Sequence, residues 1–200
     1  MNIHKFFIGK AIGFIIVLVI VGGVVYFYNP DLFGDKQQEA VFASDYKNAE
    51  YIIEGQQIKL ENGLAETEVA PSSASKIITR YFGNELKTDL NGDGREDVAF
   101  LITQETGGSG TFFYVVGALN TENGYIGSDG YLLGDRIAPQ NINVSQNPNH
   151  KYVIVANYAD RALGEPMTTQ PSMGKSAYLK LDVERMQWGI VIPDFEGESR

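Results

Sequence analysis

The sequence predicts a mainly β extracytoplasmic domain, an antiparallel sandwich or partly closed barrel with at most one short helix, carried behind an N-terminal transmembrane helix. Three observations predict it. The run Ala11–Tyr28 holds no charged residue. Beyond it the chain is punctuated every few residues by Gly, Asn, Asp or Pro, with short β-branched and aromatic runs between. No long amphipathic helical pattern occurs after residue 30.

The uncharged run AIGFIIVLVIVGGVVYFY makes a helix of roughly 27 Å at 1.5 Å per residue, close to the roughly 30 Å of a bilayer's hydrocarbon core. A cleaved signal peptide has a shorter apolar stretch followed at once by small residues. Here the exit is Tyr26-Phe27-Tyr28-Asn29-Pro30, an aromatic belt and a helix stop. The one cleavage-like tripeptide, Val41-Phe42-Ala43, lies well beyond the run, so an uncleaved anchor is expected. Lys5 and Lys10 precede the helix and Asp31 and Asp35 follow it, which keeps residues 1–10 in the cytoplasm and places the domain outside. Gly9 and Gly13 flank Lys10 at the membrane edge and read as incidental glycines rather than a dimerisation seam.

Residues 1–30 carry no acid, so the net charge of −9 over 200 residues becomes about −11 over residues 31–200, with 14 basic against 25 acidic side chains. That balance excludes nucleic acid as a partner. With no cysteine, there is neither a disulfide framework nor a lipidation site, and the domain must hold together by burial or by metal.

Residues 29–48 are polar and read as a tether. From residue 49 to 192 the domain runs as strands, beginning with a meander of Tyr51–Glu54, Gln57–Leu60 and Leu64–Val69 joined by Glu54-Gly55 and Asn62-Gly63 turns. Ser75–Phe82 fits either a strand or a Ser-capped helix closed by Gly83, and its β-branched residues favour the strand. Val98–Thr103, Phe112–Leu119, Tyr125–Leu133, Ile142–Val144, Tyr152–Ala156 and Ala177–Val183 continue the pattern. Alternation sends about half of the strand aromatics inward, and an outward tyrosine row would suit sugar or peptide. Residues 193–200 read as a solvated tail.

One motif carries chemistry. Residues 89–97, DLNGDGRED, place oxygen side chains at Asp89, Asn91 and Asp93, a glycine at Gly94 and a carboxylate at Asp97, with the Arg95 carbonyl as a further ligand. A hard cation takes six to eight oxygens, and alternation lets a tight loop aim every second side chain inward. Calcium is the cofactor this spacing predicts; turns built by Asn91-Gly92 and Asp93-Gly94 alone are the plainer alternative. The spacing resembles the calcium loops of EF-hands, dockerins and FG-GAP blades. The twelfth position, a bidentate Glu in an EF-hand, is Phe100, and a strand rather than a helix follows, as in FG-GAP repeats.

The remaining candidates are weaker. The glycine-rich Thr106–Thr111 lacks the Lys and the following helix of a phosphate loop and reads as a hairpin loop. Asp135, Asp160 and Glu165 could form paired carboxylates of an envelope hydrolase acting on glycan or peptide, against local ion pairing at strand ends. Convergence in one cleft would favour the enzyme. His150 sits in a polar turn, there is no nucleophile elbow, and a His-based zinc site is unsupported. Asn143-Val144-Ser145 matches a glycosylation sequon. Taken together, RYFGNE at 80–85, the 89–103 loop and strand, SGTFFYV at 109–115, LLGDRIAPQ at 132–140 and GEPMTT at 164–169 resemble a group of uncharacterised bacterial membrane-anchored domains. The resemblance implies an extracytoplasmic bacterial location and brings no activity with it. The expectation is therefore a binding module with an unknown extracytoplasmic protein or glycan partner, or an assembly subunit, which predicts an exposed apolar patch or unprotected sheet edge.

Overall fold

A computed structural model describes residues 42–69 and 75–192. Residues 1–10, the span 11–28, most of the tether and the tail 193–200 lie outside the described residues. Within them no helix is long and apolar enough to cross a membrane. The described domain is mainly antiparallel β, its one named helical piece a 3-10 turn at Tyr46–Asn48.

The twelve strands are β1 Glu50–Ile53, β2 Gln56–Lys59, β3 Leu64–Glu68, β4 Lys76–Thr88, β5 Asp97–Glu105, β6 Phe112–Thr121, β7 Gly124–Gly127, β8 Tyr131–Asp135, β9 Ala138–Val144, β10 Val153–Asp160, β11 Met173–Asp182 and β12 Gln187–Ile190. They form a β1–β2 hairpin, a six-stranded sheet ordered β3-β4-β5-β6-β7 with β8 also paired to β6, and a four-stranded sheet ordered β12-β11-β10-β9.

The pattern of burial follows from two separate cores. One contains Leu101, Phe113 and Val115 of the large sheet with Ile142, Ile154, Leu179 and Leu181 of the four-stranded sheet. The other contains Phe100, Ile102, Tyr114 and Val116 with Tyr51, Ile53, Ile58 and Leu60 of the hairpin region. Neighbours along β5 and β6 point to opposite faces, so both strands are buried on both sides and read as continuous apolar runs, VAFLI and YVV. Phe100 is fully buried, its ring 5.5–5.6 Å from those of Tyr46, Tyr51 and Tyr81.

The structure refines four expectations. Ser75–Phe82 is a strand and continues to Thr88. Gly83, at φ +119, marks one of two register shifts against β5 rather than closing a helix. The run Tyr125–Leu133 is two strands broken at Ser128–Gly130, a segment that ties three elements together. The Ser128 N–H donates to the Gly117 carbonyl and Gly117 N–H to Ser128 Oγ; Asp129 N–H donates to Met186 O, Gly130 N–H to Ile52 O and Ile52 N–H to Ser128 O. Trp188 lies on a twelfth strand, β12, over Gly117, and its indole N–H is buried with no hydrogen-bond partner among the described residues. Finally, residues 43–48, read as the end of the tether, are built into the domain. Ala43 exchanges two backbone hydrogen bonds with Tyr125, and the hydroxyls of Tyr46 and Tyr81 both donate to Glu85, which Lys47 also faces.

The β2–β3 connection behaves differently from the other hairpins. Glu61 and Leu64 exchange both backbone hydrogen bonds, and the pairing stops there: β2 goes on to pair with β1 and β3 with β4.

Candidate functional site

The loop 89–97 joins β4 to β5, and its conformation is set by side chains accepting from its own backbone. Asp89 Oδ1 accepts from Asn91 N–H at 3.1 Å and Gly92 N–H at 2.6 Å, while Oδ2 accepts from Gly94 N–H at 3.0 Å. Asn91 Oδ1 accepts from Asp93 N–H and Asp93 Oδ1 from Arg95 N–H. These are the turns that Asx residues make when a short polar side chain competes for backbone donors. Gly92 and Gly94 sit at φ +87 and +83, and a Cβ on Gly92 would lie 2.7 Å from the Tyr152 hydroxyl. Desolvation raises the Asp89 pKa, but the Gly92, Gly94 and Asn91 N–H groups outweigh it and hold the carboxyl below its ordinary value.

Asp97 is the exception in the loop. Its side chain is fully buried, with Oδ2 accepting from Leu90 N–H at 2.9 Å and Oδ1 from Asn120 N–H at 2.8 Å. It thereby fastens the start of the loop and the end of β6 to the start of β5. No lysine or arginine pairs with it among the described residues. Burial pushes its pKa up, the two N–H groups oppose that, and the charges of Asp93 and Asp89 push it up further.

The donor set suits a hard cation, with four oxygen side chains on one loop and the glycines that let it turn. Among the described residues no three acidic or histidine side chains converge as they would around an ion. Asn91 Nδ2 donates to Asp93 Oδ2 at 3.1 Å, and the Arg95 guanidinium pairs with Glu122 at 2.9 Å. Loading an ion would require Asn91 Nδ2 and Asp93 Oδ2 to give up this hydrogen bond.

Asp135, Asp160 and Glu165 line one open depression of about 340 Å³, together with Arg161 and Lys175. Each carboxylate already has a task. Asp135 pairs with Arg136 at 3.0 Å and accepts from Thr111 N–H; Asp160 pairs with Lys175 at 2.7 Å and accepts from Arg161 N–H; Glu165 accepts from Ala162 N–H. The Lys175 hydrogen bond holds Asp160 below the ordinary carboxylate range, the opposite of what a general acid needs.

Sequence reasoning missed the Ser145–His150 pair. Ser145 Oγ lies 2.8 Å from His150 Nδ1, and the imidazole meets the Tyr178 ring edge-on at 5.8 Å. The hydroxyl is buried and also accepts from Asn147 N–H, so the pair closes a turn rather than presenting a nucleophile. Residues 106–111 connect the paired strands β5 and β6, a hairpin loop as expected. The open β2–β3 fork borders a cleft of about 410 Å³, which the meander reading gave no means of anticipating.

Compared with family models, curated proteins and solved structures, the chain matches none.

Proposed function

We propose that the chain is a single-pass membrane-anchored binding module. Its β domain, a layered sandwich, is held outside the membrane by the helix 11–28, and the 89–97 loop takes a structural calcium ion. The observation that carries the calcium reading is Asp97, a fully buried carboxylate with no cationic partner among the described residues, flanked by Asp89 and Asp93. A divalent ion bound by Asp89, Asn91, Asp93, the Arg95 carbonyl and Asp97 would supply the missing positive charge and brace the β4–β5 junction. Loops of this kind in extracellular modules bind at about 10⁻⁴–10⁻³ M.

At 10 mM calcium such a site stabilises the fold by about 1–3 kcal/mol, worth several degrees in melting temperature for a domain of this size. Thermal melts in calcium, magnesium and chelator test it: a calcium-selective rise that Asp93→Ala removes is expected, and identical melts would leave only the turn. The anchor is tested separately by adding protease to intact and to permeabilised cells; digestion of the domain in intact cells is expected.

A hydrolase using Asp135, Asp160 and Glu165 is the second reading, favoured by their common pocket. Their existing partners and the depressed Asp160 weigh against it. Release of reducing ends or peptide fragments from purified envelope material, lost in Glu165→Gln, would reverse that preference.

A further inference from the structure

The β2–β3 fork has two unpaired walls, and the pairing register says which groups form them. Ile52 donates to Ser128 and accepts from Gly130, so its backbone groups point away from β2. In an antiparallel ladder its partner Gln57 must then point its own N–H and C=O outward, and so must Lys59 two residues on. On β3, Leu64 directs both groups at Glu61, so Glu66 two residues on faces the same way, with neither group used by β4. Had the hairpin stayed zipped, Lys59 and Glu66 would be the next bonded pair. Instead the strands part, and no strand pairing joins them beyond Glu61–Leu64.

The cleft between the walls is floored by Ile58, which belongs to the buried cluster beneath the hairpin, and Ala65, which packs against it. Neither strand carries a proline, and neither ladder carries a bulge, two of the devices that usually protect an edge. Two facing strand edges are complementary to a backbone placed between them, because alternating N–H and C=O groups at strand spacing match those of another strand. An inserted strand needs two interstrand spacings, about 10 Å, between the walls.

We infer that this fork is a docking slot for an extended peptide segment of a protein partner, bound by strand addition. The inference rests on the binding-module reading and supplies its ligand class. The inserted segment runs antiparallel to one wall and parallel to the other, since β2 and β3 leave the turn in opposite directions. Its inward side chains, at alternate positions, are small or β-branched and rest on Ile58 and Ala65. Glu61 at the closed end has no ionic partner among the described residues and selects a basic residue there; Glu66 is already paired with Lys76.

The test uses the full ¹⁵N-labelled chain in detergent micelles, in calcium and in chelator. It is titrated with an acetylated, amidated hexapeptide of alternating valine and threonine bearing one terminal lysine. Binding is expected to slow amide exchange at Gln57, Lys59 and Glu66 by about tenfold or more, in either buffer. Lys59→Pro with Glu66→Pro removes two outward N–H groups without touching either ladder, so it is expected to abolish binding while the melt stays cooperative. Ala65→Pro, which removes a donor to β4, is expected to unfold β3 and shows that the paired proline variant is selective. Unchanged exchange at the three amides, or undiminished binding by the double-proline variant, overturns the slot. So does protection of those amides that rises with protein concentration in the absence of peptide, which would make a second copy the occupant. A soluble glycan that protects them in place of the peptide has the same force. The calcium melts and the protease topology experiment do not involve the fork, so either reading can fail alone.

Discussion

The β5–β6 hairpin and the β2–β3 fork are both pairs of consecutive strands joined by a short connection, yet one is zipped along seven residue pairs and the other along a single bridge. The difference lies in what covers each face. Every residue from Asp97 to Gln104 is buried, so separating β5 from β6 would expose apolar surface on two sides and strip a ladder inside the core. β2 buries only Ile58, and β3 exposes most of its side chains. Each of those strands has its second edge satisfied elsewhere, by β1 and by β4. β5 and β6 also have second partners, β4 and β7 with β8, so what separates the two cases is burial: pairing is retained where both faces are dry and released where the strands are exposed.

Truncation at the centre should break that contrast most severely. Phe100→Ala removes a side chain packed against three tyrosines and is expected to cost about 3–5 kcal/mol in urea unfolding; a loss below about 1 kcal/mol would mean that the double-sided core is not what holds β5. Next comes the junction between layers. A Cβ on Gly127 would lie 2.2 Å from the Glu50 carbonyl oxygen, and overpacking of this sort costs about 1–3 kcal/mol. Ser128→Ala leaves the buried Gly117 N–H without its hydroxyl acceptor and should cost about 1–3 kcal/mol as well. Hydrogen exchange resolves these two, because Gly127→Ala should expose the β1–β2 hairpin before the rest of the domain opens.

A smaller effect follows from Asp160. Its folded pKa is lowered chiefly by Lys175, so its contribution is present above the unfolded pKa of about 3.9 and is lost as pH falls through the folded value. Partly exposed ion pairs are worth about 0.2–1 kcal/mol, and Asp160→Asn should flatten the acid limb of the stability curve by that much. The smallest change is expected at the fork itself. Glu66→Pro alone should leave stability within about 1 kcal/mol, since it sits on an edge with its N–H outward, whereas Ile102→Pro in β5 should prevent folding.

The strand-rich class was legible because turn dipeptides and β-branched runs report local conformation, which neighbouring residues largely decide. Most strands from Tyr51 to Val183 were placed in this way. What could not be read was decided by contacts distant in sequence. Tyr125–Leu133 looks continuous, but Gly127 and Gly130 are small because β1 crosses them, and only the fold brings Glu50, Tyr51 and Ile53 there. β12 has a single half-buried anchor, Trp188, between exposed Gln187, Gly189 and Ile190, so its four residues carry no alternation to detect. Asp89, Asn91, Asp93 and Asp97 were visible as a loop from spacing alone, while the buried hydrogen bond that holds Asp97 comes from Asn120, 23 residues later. The common pocket of Asp135, Asp160 and Glu165 was posed by the sequence as a question of geometry; some of the partners that occupy those carboxylates are sequence neighbours, Arg136, Arg161 and Ala162, while Lys175 of β11 and Thr111 of the 106–111 loop are brought in by the fold.

Trp188 is the chain's only tryptophan, and it reaches across from β12 to lie over Gly117 of the large sheet. Its ultraviolet emission therefore comes from a single address, at the contact between the two sheets, and its N–H has no partner among the described residues to relax toward in the excited state. The protein carries its own optical gauge of sheet closure: a blue-shifted band while the sheets are together, moving to the red when they part. Calcium loading, peptide docking and the junction variants can each be followed on this one signal without adding a label.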